Sequence, residues 1–209
     1  MKIIPYQPGF GPETVKMWRE SKEAAIGQKD IHSFEDHLYF LNEILPATHD
    51  VEIAISNESV IGIIAYNRTE ISQLYIHKDH HGKGVGTGLL TRAKEASSGI
   101  LTLYTFEVNE GARRFYEKHG FRIIGGGHEN EEQLPDLLYE WRRCCLIVSS
   151  QGLIPCVPDR RGQGSDRDRH SSGEHGIRSA PSDRRKGLGP PDAIARGWGR
   201  RTGTWCHLR

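Results

Sequence analysis

Hydrophobic and polar residues recur with two different periods along the first two-thirds of the chain. Short runs rich in β-branched and aromatic residues predict strands, and stretches with apolar residues three and four positions apart predict helices. The expected strands are 2–6, 51–56, 60–66, 71–76, 101–106, 122–125 and 137–141, and the expected helices are 12–26, 33–45, 85–96 and 109–120. This order, β-α-α-β-β-β-α-β-α-β-β, predicts an α+β fold with a mixed central sheet flanked by helices.

The first two helices carry distinct signals. Ser33 and Asp36 have the spacing of a capping box, and Pro46 ends the helix that this box opens. One side of the first helix holds Val15, Trp18, Lys22 and Ala25, and the apolar side of the second holds Phe34, Leu38, Leu41 and Leu45. Both helices are therefore expected to pack against the sheet.

A glycine-rich loop joins the strand 71–76 to the helix 85–96. Glycine lets a ligand approach the backbone, and the first N–H groups of a helix bind anions, most often phosphate. Lys83 adds a positive charge and Thr87 a hydroxyl group. The loop fits neither the Walker pattern nor the dinucleotide fingerprint. Its glycines are Gly82, Gly84, Gly86 and Gly88.

The loop resembles the acetyl-CoA motif of the GNAT superfamily of N-acetyltransferases, Arg/Gln-x-x-Gly-x-Gly/Ala. It reads His-Gly-Lys-Gly-Val-Gly over residues 81–86, so that His81 stands where the family prefers Arg or Gln, and Lys78 where a proline is common. The segment 109–121 resembles the last helix of the family, with its Asn, its Ala-x-x-Phe-Tyr and its Gly-Phe ending. The resemblance covers about residues 1–141.

This resemblance implies acetyl-CoA as co-substrate and direct acetyl transfer to an amine, without a metal. It implies a splayed pair of middle strands, between which the pantetheine arm of CoA binds like an extra strand. The implied donor-binding residues are Leu74, Tyr75, Ile76, His81, Gly82, Lys83, Gly84, Val85, Gly86, Thr87, Asn109 and Tyr116. Backbone N–H groups near 74–76 meet the oxyanion, and Asn109 contacts pantetheine, caps its helix, or does both.

Tyr116 and Glu70 are the candidate catalytic residues. Tyr116 resembles the family tyrosine that protonates the sulfur of CoA; a packed core tyrosine is the alternative. Glu70 lies fourteen residues before Gly84, as does the catalytic glutamate of histone acetyltransferases in the family. A base is needed because a free amine is mostly protonated at neutral pH. A solvent-facing strand position is the alternative role for Glu70, and Glu107 or a water molecule is the alternative base.

Charge and cysteine content divide the chain at residue 141. Residues 1–141 carry 14 Lys and Arg against 21 Asp and Glu, a net charge of −7, whereas residues 142–209 carry 14 against 6, a net charge of +8. The acidic domain disfavours nucleic-acid binding and is compatible with a cationic amine. All four cysteines follow residue 141. The sequence has no long apolar stretch, so we expect a cytoplasmic protein without membrane contact. The protein is expected to be a monomer or a homodimer.

The tail, residues 142–209, is expected to be a separate, poorly ordered segment. Residues 158–209 contain only four Leu, Ile, Val or Phe residues, too few to offset the entropy of ordering. An accidental extension and a nucleic-acid-binding tail are the two interpretations. A non-catalytic acyl-CoA-binding module is a further alternative to the enzyme. The acceptor, a small-molecule or peptide amine, stays open, and Glu131 and Glu132 in a polar loop are candidates for attracting it.

Overall fold

This computed structural model describes residues 1–143 and, beyond them, the backbone of the strands Leu146–Ser149, Gly152–Pro155 and Trp205–His207. The chain divides into two units: residues 1–143 with 193–209 form one, and residues 144–192 form the other. The tail was expected to be poorly ordered. Most of it lies outside the described residues, and within it the structure describes these three short strands.

Seven strands of residues 1–143 and the strand Trp205–His207 form one sheet. The strands are β1 Lys2–Pro5, β2 Asp50–Ser56, β3 Ser59–Tyr66, β4 Ile71–Ile76, β5 Ile100–Phe106, β6 Arg122–Gly127, β7 Asp136–Arg142 and β10 Trp205–His207, while β8 Leu146–Ser149 and β9 Gly152–Pro155 pair with each other in the second unit. Their order across the sheet is β1-β2-β3-β4-β10-β5-β7-β6. All neighbours are antiparallel except β10, which is parallel to β4 and β5. The predicted α+β fold with a mixed sheet is confirmed.

Helices cover both faces of this sheet. The helices are α1 Gly11–Ile26, α2 Phe34–Tyr39, α3 Val85–Ala96 and α4 Glu110–Lys118. Ile63 and Tyr75 pack with α1, whereas their neighbours Ile64 and Leu74 pack with α3 and α4. Because successive strand residues point to opposite faces, the two apolar clusters lie on opposite sides of β3 and β4. The order of strands and helices along residues 1–143 is the predicted one.

The second helix is shorter than predicted. The capping box at Ser33 is confirmed, since the Ser33 hydroxyl accepts from the Asp36 N–H and the Asp36 carboxylate accepts from the Ser33 N–H. The α-helix nevertheless ends at Tyr39 and continues as a π-helical turn, Phe40–Ile44, and a 3-10 turn, Leu45–Ala47. Pro46 has no N–H with which to extend α-helical bonding.

Candidate donor and acceptor site

The sheet opens between β4 and β5. The two strands meet at one isolated parallel bridge, Glu70 with Thr102, and further along them β10 lies between the two. β4 carries a bulge at Ser72, where its pairing with β3 shifts register. A bulge bends and twists its strand, which accounts for the divergence. The space between the two strands beyond the Glu70–Thr102 bridge is the β4–β5 gap, and it matches the expected splay.

Strand β10 lies in this gap. Its residues pair in parallel with Gln73, Leu74 and Tyr75 of β4, and Trp205 also pairs with Tyr104 of β5. On its other side β4 is held by β3. The edge of β4 that faces the gap is the edge with which an extended ligand would pair. Such a ligand and β10 therefore require the same backbone groups.

The glycine loop follows β4 at the open end of the gap. Gly82 and Gly84 have φ of 73° and 81°, a left-handed conformation that favours glycine, and a Cβ at either position would meet no atom within 4 Å. The first bond of α3 runs from the N–H of Gly88 to the carbonyl of Gly84. The preceding N–H groups of Val85, Gly86 and Thr87 thus have no acceptor within the helix. With the exposed Lys83 beside it, this helix N-terminus suits a phosphate group.

Two side chains fix the loop. His81, which replaces the usual Arg or Gln, turns back so that its Nε2–H donates to the carbonyl of Ile76 at 2.9 Å. It therefore joins the loop to the end of β4. The hydroxyl of Thr87 lies 3.2 Å from Nε2 of His119, whose Nδ1 lies 2.8 Å from the carbonyl of Phe115. Since Nδ1–H donates to that carbonyl, Nε2 accepts from Thr87 and links α3 to α4.

Helix α4 holds the predicted general acid. Asn109 is confirmed as its N-cap, since Oδ1 accepts from the N–H of Ala112 at 3.0 Å. Tyr116 is fully buried, and its ring lies 5.5 Å from that of Phe121 and 6.0 Å from that of Tyr139. Both predicted roles, core packing and proton donation, are compatible with this placement. The two aromatic neighbours pack around the ring of Tyr116.

Glu70 lies at the closed end of the gap and contacts two side chains that sequence reasoning missed. Its Oε1 lies 3.0 Å from Nε2 of His49 and 3.1 Å from Nδ2 of Asn67. His49 precedes β2, and no sequence motif connects it with Glu70. The strand spacing from Glu70 to Leu74 is four residues, about 13 Å. The alternative base, Glu107, lies beyond the far end of β5, where its N–H donates to the carbonyl of Pro135.

The β6–β7 loop, residues 128–135, lies against α1 and the segment that follows it. The ammonium of Lys22 lies 2.7 Å from Glu132 and 3.2 Å from Asp30, with all three side chains less than a tenth exposed. His32 contacts Glu131 at 2.7 Å. The loop carboxylates that were candidates for attracting a cationic acceptor are thus paired with cationic or ionisable groups of the chain.

Asp30 is the most strongly perturbed acid of this cluster. Burial by itself raises its pKa, but a hydrogen bond from His37 and the charge of Lys22 outweigh burial, and the pKa lies well below its usual value. Asp30 is therefore ionised at neutral pH. The sequence placed Lys22 on the buried side of α1, but it gave no indication of the acidic partners on two other segments.

The structure thus brings together the gap-facing edge of β4, the glycine loop and, through Thr87 and His119, helix α4. Glu70 stands apart from this group, at the closed end of the gap. Within residues 1–143, no group of three or more His, Cys, Asp or Glu side chains is arranged to hold a metal ion. The helices of the same residues include none with the length and apolar character needed to cross a membrane.

Curated relatives match parts of this chain. A Bacillus subtilis (strain 168) protein, YwnH, named for phosphinothricin acetyltransferase activity, is 37% identical over 75 residues, which are 34% of this chain and 46% of the relative. The chain thus spans about half the length of that relative. A peptidyl-lysine N-acetyltransferase of Salmonella typhimurium (strain LT2) is 26% identical over 121 residues, which are 55% of this chain and 79% of the relative.

Solved structures share the fold. The solution structure of apo YjaB from Escherichia coli has a TM-score of 0.56 and 24% identity. The match covers 67% of this chain and 96% of the YjaB chain. The PaiA N-acetyltransferase of Thermoplasma acidophilum, solved with coenzyme A, has a TM-score of 0.55 and 20% identity. The match covers 68% of this chain and 98% of the PaiA chain. The sequence model of the acetyltransferase (GNAT) domain matches residues 47–123, from the segment before β2 to the start of β6. Residues 47–123 of this chain therefore match a GNAT acetyltransferase domain, and the resemblance that the glycine loop and the α4 segment had indicated is confirmed.

Proposed function

We propose that this chain is an N-acetyltransferase that moves the acetyl group of acetyl-CoA directly to a primary amine. The observation that carries this proposal is the β4–β5 gap, which opens beside a helix N-terminus preceded by left-handed Gly82 and Gly84. An extended pantetheine arm fits along β4, and the pyrophosphate of CoA fits at the helix N-terminus. The GNAT domain match at residues 47–123 supports the same donor.

The proposed chemistry divides among three groups. Backbone N–H groups of Leu74–Ile76 stabilise the oxyanion that forms when the amine attacks the thioester carbonyl. Glu70, about 13 Å along the strand from Leu74, accepts the proton that the amine loses through intervening water molecules. Tyr116 donates its phenolic proton to the departing sulfur of CoA. No covalent intermediate is needed, and residues 1–143 contain no cysteine.

The names of two relatives support the proposed acceptor class. One relative is named for peptidyl-lysine and another for phosphinothricin, and both substrates present a primary amine. Residues 1–141 carry a net charge of −7, which suits a cationic amine. We therefore propose a small-molecule or peptide amine as the acceptor. The cytoplasmic location and the monomeric or homodimeric state expected from the sequence stay predictions.

Mass spectrometry of two acceptors tests this function. The full chain is incubated with acetyl-CoA and either a lysine-containing peptide or phosphinothricin, and the acceptor is examined for an added acetyl group. Acetylation that disappears in Tyr116→Phe supports the proposal. Saturable acetyl-CoA binding without acetylation of any amine in a wider screen would instead indicate a non-catalytic acyl-CoA-binding module.

A further inference from the structure

Four side chains form a connected hydrogen-bond chain at the closed end of the β4–β5 gap. The hydroxyl of Thr48 lies 2.8 Å from Nδ1 of His49, and Nε2 of His49 lies 3.0 Å from Oε1 of Glu70. Nδ2 of Asn67 lies 3.1 Å from the same carboxylate oxygen. The side chain of His49 is 10% exposed and that of Glu70 is 23% exposed. The side chains of His49 and Glu70 are thus mostly shielded from water, whereas Thr48 is exposed.

Nδ2 of Asn67 also lies 3.3 Å from Nε2 of His49, so that these two nitrogens and Oε1 of Glu70 are mutual neighbours. An ionised carboxylate only accepts, so that Nε2 of His49 carries its proton and donates it to Glu70. Nδ1 of His49 faces the hydroxyl of Thr48, which can donate or accept a hydrogen bond. Two N–H groups therefore converge on one oxygen of Glu70, which fixes the plane of the carboxylate.

Asn67 has its own orientation fixed by the backbone. Its Oδ1 accepts from the N–H of Thr69 at 2.9 Å and from the N–H of Glu70 at 3.0 Å. Because the carbonyl end of the amide is occupied there, the NH₂ end points to Glu70. The turn before β4 thus supplies one donor, and His49 supplies the other from a segment 21 residues earlier.

Glu70 also has a fixed place in the sheet. It forms the bridge to Thr102 at which β4 and β5 still touch, and the bulge at Ser72 separates it from the gap-facing residues that begin at Gln73. Its backbone is therefore held at the point where the gap closes. The direction of its carboxylate depends on the two donors.

We propose that His49 is a positioning residue that holds the carboxylate of Glu70 in the orientation in which it accepts the proton of the acceptor amine. This inference rests on the proposed function, in which Glu70 is the base. His49 acts through its Nε2–H alone and does not touch the substrate. Thr48 contacts Nδ1 on the other side of the ring.

Variants of His49 in the full chain test this role with the faster of the two acceptors named above. In His49→Leu, kcat is expected to fall about tenfold or more, since a hydrogen bond to a charged group is lost, while KM for acetyl-CoA stays within about twofold. His49→Gln, whose amide offers an N–H, is expected to recover part of the rate. The matched control is Arg114→Leu, which removes the exposed Arg114–Glu110 ion pair on α4 and should leave kcat unchanged.

A double-mutant cycle separates positioning from general stability. If His49 acts only through the carboxylate, His49→Leu causes no further loss of kcat in a Glu70→Gln background. An equal loss in both backgrounds, or no loss in the single variant, overturns the inference. Wild-type protein that binds acetyl-CoA but acetylates no amine refutes the proposed function instead.

The tautomer of His49 gives a second measurement that needs no turnover. Nitrogen-15 NMR of the imidazole groups in the full chain distinguishes an Nε2–H from an Nδ1–H ring. We expect Nε2–H for His49, and a change in its Nε2 signal in Glu70→Gln. An Nδ1–H ring, or a signal that ignores this substitution, overturns the inference even if no acceptor is found.

Discussion

In the proposed function the pantetheine arm pairs with the edge of β4 that β10 occupies, so weakening β10 should strengthen acetyl-CoA binding. Cys206 is the central residue of β10 and pairs with Leu74. Proline at this position has no N–H to donate and fits poorly inside a sheet. Cys206→Pro in the full chain is therefore expected to release β10 from the gap and leave the rest of the sheet in place.

The magnitude follows from the small size of β10. Three residues pair with β4 and one of them also pairs with β5. At about 0.5–1.5 kcal/mol net for each hydrogen bond, a few such bonds contribute roughly 2–4 kcal/mol. Ordering three residues costs about 1–2 kcal/mol each, so the two terms nearly cancel. β10 is thus marginally stable in the gap, and its release should lower the Kd for acetyl-CoA by less than about tenfold.

Isothermal titration of acetyl-CoA measures this effect. Wild type is compared with Cys206→Pro and with Ser171→Pro, a control proline in the tail outside the described residues. We expect a twofold to roughly tenfold lower Kd in Cys206→Pro and no change in the control. Weaker binding in Cys206→Pro would show that β10 forms part of the donor site. A gain above about a hundredfold would show that β10 is held far more firmly than its backbone pairs can account for.

Three other substitutions test the site and its supports. Gly84→Asp should abolish acetyl-CoA binding, because a carboxylate would meet the pyrophosphate; unchanged affinity in titration would refute the anion site. Lys22→Met should lower the free energy of unfolding by about 3 kcal/mol in urea titrations, because Asp30 and Glu132 lose their buried cation; an unchanged midpoint would contradict this. Asp30 has a lowered pKa in the folded state, so its stabilising contribution is present above its ordinary pKa of 3.8 and is lost as the pH falls below that value. The difference in unfolding free energy between wild type and Asp30→Asn should therefore shrink from pH 6 to pH 3, and a constant difference would refute the assignment.

The fold was predictable because its signals are local. Ser33 and Asn109 cap their helices through side chains that lie three residues from their partners. The turn between β2 and β3 contains Asn57 and Glu58, both with positive φ, and the polar residues of this turn predicted the hairpin. Gly84 combines a positive φ with a helix start, which is what the glycine pattern indicated. Short-range spacing and residue type are sufficient for features of this kind.

The partners of the site residues were not predictable, because they lie far from those residues in the sequence. His49 meets Glu70 across 21 residues, and Lys22 meets Glu132 across a still longer separation. Each contact forms because the sheet and α1 bring distant segments together, and no periodicity encodes it. The insertion of β10 was missed because residues 158–209 are poor in apolar residues, and that composition argued against order. Backbone pairing in an open gap does not depend on apolar side chains.

The two acidic residues of the β6–β7 loop should differ in what they do for an amine acceptor. The side chain of Glu132 is 7% exposed, and its carboxylate contacts the ammonium of Lys22. Because Asp30 also contacts this ammonium, the ammonium group of an acceptor would have to displace a cation that two carboxylates bind. The side chain of Glu131 is 41% exposed, and its ion-pair partner within residues 1–143 is Nε2 of His32 at 2.7 Å, so a cationic acceptor can approach the carboxylate. Glu131→Gln is therefore expected to raise KM for a lysine-containing peptide severalfold with little change in the melting temperature, whereas Glu132→Gln should lower the melting temperature. Steady-state kinetics and thermal melting on both variants measure the two effects. If Glu132→Gln raised KM and left the melting temperature unchanged, Lys22 would have to leave this pair during the reaction, and Glu132 rather than Glu131 would bind the amine.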